Sequence, residues 1–574
     1  MKRTFRTIAT LALAGFVVAS CASLDKMKKM EKDIVYKVTP EVLEAKGGEV
    51  EVRIDATIPP KYFNKKVTLE TTPVLKFQNG GEKAFAPKYF QGEKVQGNYE
   101  MVPYATEKTV SYTGKVPYEE AMRISALHVK FLGTQGTKSV EYESDKIADG
   151  VLATATLVNN KPATAIGADK FERITKEAQE AAIYYLINSA EVRTKEMRSE
   201  DIKAMEKFIK DANEAEDMVL KDIQIQSYAS PDGPMSLNEK LANNREGAAD
   251  KFVKNSMSKN KVQEYKNLDF FKKFVVAEDW EGFKKAMEAS NIRDKELILR
   301  VLAMHTDPEV REREIKNISS AYSVVADQIL PKLRRSRFIV NADRIGKSDD
   351  ELRTLAKSNP AELNVEELLY AATLFEDNAD QLAVYEAAMQ QFPEDWRGFN
   401  DAGMVQFKLG KVAQAKANFE KANALSANNK AVKNNLGAVE LINGNIQEAE
   451  ILFGAATGLG NEVNANKGIV AILKGDYKAA AEYFGNCNCA NAALAQLLLG
   501  NNNEAAKKLN ASKCESALVS YLKAVVAARN DDNAAVLSNL KDACAKDAAM
   551  KQLAATDLEF AKLFENADFK AIVK

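Results

Sequence analysis

The C-terminal third of the chain repeats a pattern of small and aromatic residues. Gly403, Ala415 and Phe419 recur 34 positions later as Gly437, Ala449 and Phe453. A further copy follows after 31 positions, and no proline occurs after Pro393. A period of this length predicts a solenoid of helix pairs, in which each unit packs on its neighbours. The remaining members of the pattern are Gly410, Ala422, Gly444, Ala456, Gly468, Gly475, Tyr477, Ala480, Phe484, Gly500, Asn502, Ala505 and Leu509.

This pattern resembles the tetratricopeptide repeat. The small residues stand where two helices touch, and the aromatic residue fills the space between adjacent repeats. The resemblance implies an all-α solenoid over residues 360–574. Such a solenoid has a concave groove suited to a peptide or a partner helix. We therefore expect a separate protein partner in the repeat groove.

The N-terminus has the features of an export signal. Three positive charges precede an apolar run at residues 8–18, which is too short to cross a bilayer as a helix. The sequence Val18-Ala19-Ser20-Cys21 then resembles the bacterial lipobox. The resemblance implies that residues 1–20 are a lipoprotein signal peptide and that Cys21 carries the lipid. It also implies a location in the outer membrane; the alternative is a signal peptide that is cut elsewhere. Residues 26–30 show no acidic run that resembles a surface-export tag, which favours the periplasmic face over the alternative, a surface-exposed one.

Residues 33–165 carry strand signals after a linker at residues 21–32. Val50, Val52 and Ile54 alternate with polar residues, which is typical of a half-buried strand. Turn signals separate several further short apolar runs. This spacing predicts an all-β sandwich, either as a spacer near the membrane or as a partner-binding module.

Residues 166–350 alternate between strand and helix patterns and predict an α/β sandwich. The strands are expected at 183–187, 223–228, 270–276 and 334–342. A helix that begins after a Ser199 cap covers residues 199–211, and a second helix covers residues 237–254. A mostly helical insertion occupies about 281–332, and its dense charges are typical of a solvated helix face.

Two motifs in this region resemble the OmpA-like peptidoglycan-binding domain. Ile187-Asn188-Ser189-Ala190-Glu191-Val192-Arg193 is similar to the family's opening F-N-S-A-x-I-R. Ser227-Tyr228-Ala229-Ser230-Pro231-Asp232-Gly233, followed by Asn238 and Arg245, is similar to its second motif. The fifteen positions from Ser230 to Arg245 match the family's spacing from Asp to Arg.

The OmpA-like resemblance implies a site for the peptidoglycan stem peptide, formed by Arg245, Asn238, Ser230 and Asp232. An arginine fork can bind the carboxylate of a diamino acid, and an anion can bind its ammonium group. Position 230 holds serine where the family has aspartate, although Asp232 lies in the same loop. Glu246 offers an alternative role for Arg245, as its ion-pair partner.

The composition argues against an enzyme. Only two histidines occur, His128 and His305, and they lie 177 positions apart. No catalytic constellation, metal site or cofactor motif is present. The 80 basic and 81 acidic residues balance, so no overall field attracts nucleic acid.

The cysteines near the C-terminus allow one or two disulfides in an oxidising compartment. The candidate pairs join Cys487 or Cys489 to Cys514, and the alternative is a free, packed thiol at Cys487. Together these features predict a multidomain, lipid-anchored protein that tethers to peptidoglycan and recruits a partner through its repeats. The alternative function is an envelope assembly or secretion scaffold whose OmpA-like domain binds no glycan.

Overall fold

The computed structural model describes residues 23–574, with the side chains of residues 319–321 excepted. The predicted signal peptide and Cys21 lie outside this range. The chain divides into two compact units: one contains the chain up to Ala168 together with Asp377–Lys574, and the other is Asp169–Glu376. The three consecutive domains of the sequence prediction are therefore regrouped. The β-block and the helical repeats share one unit because they pack on each other, and the α/β region is inserted between them.

The first unit begins with helix α1 (23–30), which packs against an eleven-stranded sheet. Leu24 and Met27 of α1 are each 1% exposed and lie in the same core as the strands. Residues 23–30 are thus part of the folded β-block, and the linker predicted over 21–32 is wrong in this range. Their apolar spacing explains the difference, because it gives the helix one face that the sheet can bury.

All eleven strands form one continuous sheet, and β2 pairs with both β3 and β11. Alternate residues of β3, among them Val50, Val52 and Ile54, are buried as predicted. They share a core with β4 and β9, within one continuous sheet and not the two sheets of the predicted sandwich. The strands are β1 (Val35–Thr39), β2 (Val42–Lys46), β3 (Glu49–Ile58), β4 (Thr68–Phe77), β5 (Glu82–Ala84), β6 (Lys88–Gly92), β7 (Glu100–Val102), β8 (Lys108–Pro117), β9 (Ser125–Gln135), β10 (Lys138–Glu143) and β11 (Ala148–Leu152).

The inserted unit has four strands in the order β12-β15-β13-β14. Only β13 and β14 run parallel, and the two other pairs are antiparallel. The bounds are β12 (Ile174–Tyr184), α2 (Thr194–Met197), α3 (Glu200–Glu214), β13 (Met218–Tyr228), α4 (Met235–Lys259), β14 (Phe271–Val276), α5 (Trp280–Glu288), α6 (Lys295–Met304), α7 (Pro308–Asn317), α8 (Ser319–Gln328), α9 (Leu330–Leu333), β15 (Arg335–Ile345), α10 (Asp349–Ser358) and α11 (Val365–Thr373).

The predicted order of strands and helices in this unit is confirmed, and Ser199 caps α3 by accepting a hydrogen bond from Ile202 N. The first strand differs from its prediction, since β12 ends at Tyr184. Leu186 and Ile187 follow it in a loop and are 56% and 59% exposed. The insertion is helical as predicted, and its helices bury a core of their own around Phe283 and Ile298.

The helical repeats complete the first unit. The bounds are α12 (Asn378–Gln391), α13 (Trp396–Lys408), α14 (Val412–Leu425), α15 (Lys430–Ile442), α16 (Ile446–Ala455), α17 (Asn461–Leu473), α18 (Tyr477–Phe484), α19 (Ala490–Leu498), α20 (Asn502–Asn510), α21 (Ala517–Arg529), α22 (Asn533–Lys546), α23 (Ala549–Ala555) and α24 (Ala567–Val573).

The glycine–aromatic pattern is confirmed as helix packing. A β-carbon at Gly437 of α15 would lie 2.7 Å from the ring of Phe453 on α16. Gly403 faces Phe419 and Gly468 faces Phe484 in the same way, at 2.7 and 2.6 Å. In each of these three repeats the phenylalanine ring therefore packs on the glycine of the same repeat. In residues 23–574 no helix combines the length and apolar character needed to cross a bilayer.

Candidate functional site

The first helices of four successive repeats each place one polar side chain at the same position. Two residues before the small residue stand Asp401 on α13, Asn435 on α15, Asn466 on α17 and Asn491 on α19. These four side chains are called the polar ladder below. They are 1%, 0%, 0% and 8% exposed. Buried amides at a repeating position must find hydrogen-bond partners, since an unpartnered buried polar group costs about 1 to 3 kcal/mol.

Their partner is the main chain of residues 158–168, called the linker segment below. This segment follows β11 and a single 3-10 turn and leads to the inserted unit. Asn435 accepts a hydrogen bond from Ala165 N at 2.7 Å and donates to Ala165 O at 2.8 Å. Asn466 holds Ala163 in the same way at 2.7 and 2.8 Å, and Asn491 holds Asn159 at 2.8 and 2.9 Å.

A second row of amides strengthens the ladder. Asn434 donates to Ala163 O at 2.9 Å, and Asn400 donates to Ala165 O at 3.0 Å. The rows are also joined to each other, since Asn435 donates to Asn400 and Asn466 donates to Asn434, both at 2.9 Å. These bonds fix the orientation of the four joined amides relative to the linker segment. A network in which every member is satisfied is rigid and specific.

Asp401 is the exception in the ladder, because it is a carboxyl among amides. Its Oδ1 accepts hydrogen bonds from Gly167 N at 2.7 Å and from Asn400 at 2.9 Å. Its Oδ2 is buried and has no hydrogen-bond partner. Burial raises the pKa of Asp401 to about 7, although the hydrogen bonds and Arg397 oppose this shift.

The linker segment fits the groove by its small size as well as by its main chain. A β-carbon at Gly167 would lie 3.0 Å from the side chain of Arg397 and 3.1 Å from Trp396. Ala165 and Pro162 are buried beside it. The ladder's bonds to the linker segment go to main-chain N–H and C=O groups. The groove therefore binds the linker segment through its main chain and requires a small residue at Gly167.

Part of the repeat surface predicted to bind a separate protein thus holds the chain's own linker segment, which the sequence prediction did not include. The repeat pattern predicts the groove, but it does not predict that the linker segment lies in it. A signal for the ladder was present in the sequence, because Asn400-Asp401 and Asn434-Asn435 are 34 positions apart. The predicted site does not include these residues, because the repeat pattern is defined by its small and aromatic residues.

In the inserted unit, Arg245 of α4 is 1% exposed. Its guanidinium donates to three main-chain oxygens, those of Ser189, Tyr228 and Leu186, at 3.0, 2.8 and 3.4 Å. It also stacks on the ring of Tyr185, with its Cζ 5.2 Å from the centroid. Burial lowers its pKa to about 10. The suggested ion pair with Glu246 is wrong, because Glu246 pairs with Lys273 at 2.8 Å.

The other three predicted pocket residues lie near the end of β13. The Ser230 hydroxyl donates to Asp232, and Arg334 donates to both residues, at 3.1 Å to Ser230 and 2.9 Å to Asp232. Asn238 donates to Gly233 O at 3.0 Å. The structure therefore brings Ser230 and Asp232 together, but the carboxylate already has a cation beside it.

The predicted disulfides are not formed in the structure. Cys487 and Cys514 are exposed free thiols, Cys489 is a half-buried free thiol, and Cys544 is buried and free. Burial, with a side-chain hydrogen bond to Cys487, raises the pKa of Cys489 to about 12. Within the range the structure describes, no group of three or more His, Cys, Asp or Glu side chains is arranged to hold a metal ion.

No protein-family model and no curated protein matches the sequence. Among solved structures, a tetratricopeptide repeat protein from Parabacteroides merdae is 14% identical, with 37% of this chain and 91% of that chain covered and a TM-score of 0.30. PilF of Pseudomonas aeruginosa is 18% identical, with 38% and 98% covered and a TM-score of 0.29. YrrB, a repeat protein described as having an unusual peptide-binding site, is 18% identical, with 31% and 98% covered and a TM-score of 0.25. Because these scores are low, the tetratricopeptide-type repeats rest on the period and the glycine–aromatic contacts described above.

Proposed function

We propose that the protein is a non-enzymatic scaffold of the bacterial cell envelope, anchored in the outer membrane by a lipid on Cys21 and facing the periplasm. The observation that carries the proposal is the linker segment in the repeat groove. The polar ladder of the repeats binds the protein's own linker segment. This indicates a structural role for the repeats. This agrees with the alternative function stated from the sequence, in which the α/β unit binds no glycan.

The chemistry of the groove supports an architectural role. Except at Asp401, the bonds between the ladder and the linker segment join neutral amides to main-chain groups, and each contributes about 1 kcal/mol net. Fixing each linker residue costs about 1 to 2 kcal/mol of conformational entropy. Ordering a residue thus costs at least as much as one of these hydrogen bonds contributes, so the hydrogen bonds alone do not lock the segment in place. No side chain in the groove is poised to break or form a covalent bond.

The lipid anchor is supported by the match of Val18-Ala19-Ser20-Cys21 to the lipobox. Residue 23, the first that the structure describes, already belongs to α1, which packs on the β-block, so the β-block follows Cys21 within a few residues. A chain fully extended spans at most about 3.3 to 3.6 Å per residue. The proposal therefore places the β-block close to the membrane surface.

The Cys21→Ser variant is expected to lose all incorporation of labelled fatty acid, because only the thiol of Cys21 carries the acyl group in this proposal. Metabolic labelling followed by membrane fractionation measures it. The Cys514→Ser variant is the matched control, since it removes an exposed thiol elsewhere in the chain. Equal label in Cys21→Ser and the parent would contradict the lipid anchor.

A peptidoglycan tether is the second candidate, and one observation favours it. Arg245 is a buried guanidinium whose hydrogen bonds go to neutral carbonyls, and no carboxylate of the described chain lies within ion-pair distance of it. A stem-peptide carboxylate would supply the missing negative charge. The Arg334–Asp232 pair counts against this candidate, because it leaves the ligand's ammonium group no free anion there.

Sedimentation of the full chain with purified sacculi separates the two candidates. The scaffold proposal expects the parent to stay in the supernatant. The peptidoglycan-tether proposal expects the parent to pellet with the sacculi. It also expects the Arg245→Lys variant to bind sacculi about tenfold more weakly or worse, since an ammonium lacks the planar fork of a guanidinium. Arg344→Lys is the control, because that arginine is exposed and pairs with Glu177 and Asp217 in the same unit. Pelleting that depends on Arg245 and not on Arg344 would replace the scaffold by the tether.

A further inference from the structure

The polar ladder follows one bonding rule at three of its four positions. Asn491, Asn466 and Asn435 each accept a hydrogen bond from the N–H of one linker residue and donate one to the C=O of the same residue. An amide can do both, because it carries an acceptor oxygen and a donor nitrogen on the same carbon. The rule needs one acceptor and one donor from each side chain.

At the fourth position, Asp401 makes only half of this pattern. Its Oδ1 accepts from Gly167 N as the asparagines do. Its Oδ2, the atom that replaces the donor nitrogen of an asparagine, is buried without a partner. An ionised carboxylate has no proton to donate, whereas a protonated carboxyl has one O–H. Only the protonated form of Asp401 reproduces the chemistry of an asparagine.

The surroundings of Asp401 also favour the neutral form. On its own helix, Arg397 favours the ionised form and Asp395 opposes it, and these two side chains pair with each other at 2.8 Å. The facing helix α15 contributes the amides of Asn434 and Asn435, and the linker segment contributes main-chain groups. The amides and the main-chain groups do not titrate, and Asp395 and Arg397 pair with each other, so the buried carboxyl is the one proton-dependent member of the ladder.

We propose that the linker segment is a releasable strap, and that it is held more tightly when Asp401 carries a proton. The strap would close over the groove in acidic surroundings and loosen as the proton is lost. Loosening would begin at Gly167, the end of the linker segment that leads to the inserted unit. This inference goes beyond the proposed scaffold and does not depend on the lipid anchor.

The direction of the effect follows from the two states of the groove. With the strap docked, the pKa of Asp401 is about 7; with the strap released, water reaches the carboxyl and its pKa returns towards the usual value of 3.8. The docked state therefore binds the proton more tightly. Docking is strongest below about pH 4, weakens by up to tenfold for each pH unit between about 4 and 7, and is constant and weakest above about 7.

Hydrogen exchange of the linker amides in the full chain tests this proposal. After correction for the intrinsic pH dependence of exchange, protection of Gly167 is expected to fall by up to about a hundredfold from pH 5 to pH 7. It should then level off. In Asp401→Asn the protection should remain flat, because an amide supplies the donor at every pH. In Asn466→Asp the fall should extend to Ala163, whose main chain that side chain holds.

Identical pH profiles for Gly167 in the parent and in Asp401→Asn would overturn the proposal. So would protection that rises with pH. Failure of Asp401→Asn to fold, seen as a lost helical signal in the far-ultraviolet spectrum, would also contradict it, since asparagine is the residue at the three sister positions. A flat parent profile together with a flat variant would show that the strap is held without regard to the proton.

Discussion

Replacing Gly437 by leucine is expected to destabilise the repeat-containing unit by about 3 kcal/mol or more. A β-carbon at this position would lie 2.7 and 2.8 Å from two ring atoms of Phe453, closer than such atoms approach in folded proteins. Phe453 is fully buried and cannot swing away. Overpacking of this kind forces a shift of the helix pair, and its usual cost is about 1 to 3 kcal/mol. The branched side chain adds further atoms to the same contact.

Denaturant unfolding measures this loss if it is followed through a single tryptophan. The chain has two, and they divide between the units: Trp396 lies on α13 of the repeats and Trp280 on α5 of the insertion. In a Trp280→Phe background, Trp396 reports the repeat-containing unit alone. Gly454→Leu is the matched control, because this helical glycine has no atom within 4 Å of its β-carbon position. Equal midpoints for the two leucine variants would contradict the packing role of Gly437.

The repeats could be predicted because their requirement is local and periodic. A glycine that must accept a ring recurs with that ring at a fixed spacing, as Gly403 and Phe419 do, and the spacing is visible in the sequence alone. The alternating strand β3 and the Ser199 cap were predictable for the same reason. Each depends on residues a few positions apart, where pattern and structure are tightly linked.

The occupant of the groove could not be predicted in this way. Ala163 and Asn466 are 303 positions apart, and Ala165 and Asn435 are 270 apart. The linker residues contribute only main-chain groups, which every residue carries, so the linker segment has no side-chain signature. The regrouping of the β-block with the repeats was missed for the same reason. Contacts between distant segments follow from the packing of the whole unit and leave little trace in either segment alone.

Arg245 illustrates the same limit in the inserted unit. The motif spacing from Ser230 identified it as a residue that matters, and the structure places it at the centre of the unit. The sequence suggested a ligand carboxylate or Glu246 as its partner. The structure gives it three carbonyl oxygens, from the loop after β12 and from the last residue of β13. Every residue carries a main-chain carbonyl, so the sequence does not show which carbonyls Arg245 will contact.

Arg245→Ala is therefore expected to lower the stability of the inserted unit by about 3 to 5 kcal/mol. The change removes three hydrogen bonds from a charged donor, each contributing about 1.5 to 3 kcal/mol, and leaves buried carbonyl groups without partners. Part of this loss is offset, because the buried charge and its desolvation cost disappear as well. In a Trp396→Phe background, Trp280 reports the unfolding of this unit. Arg344→Ala is the control and is expected to cost less than about 1 kcal/mol, since its ion pairs are exposed.

The expected loss of stability in Arg245→Ala affects the interpretation of binding experiments on the inserted unit. A loss of sacculus binding in Arg245→Ala would follow from unfolding as readily as from a missing ligand contact, so that variant cannot identify a glycan site. Arg245→Lys keeps the charge and part of the hydrogen bonding, and it is informative only if its unfolding midpoint stays near that of the parent. If Arg245→Ala unfolds at the same denaturant concentration as the parent, the three carbonyl contacts contribute nothing to stability. The guanidinium would then be free to serve a ligand, and the peptidoglycan tether would become the stronger of the two proposed functions.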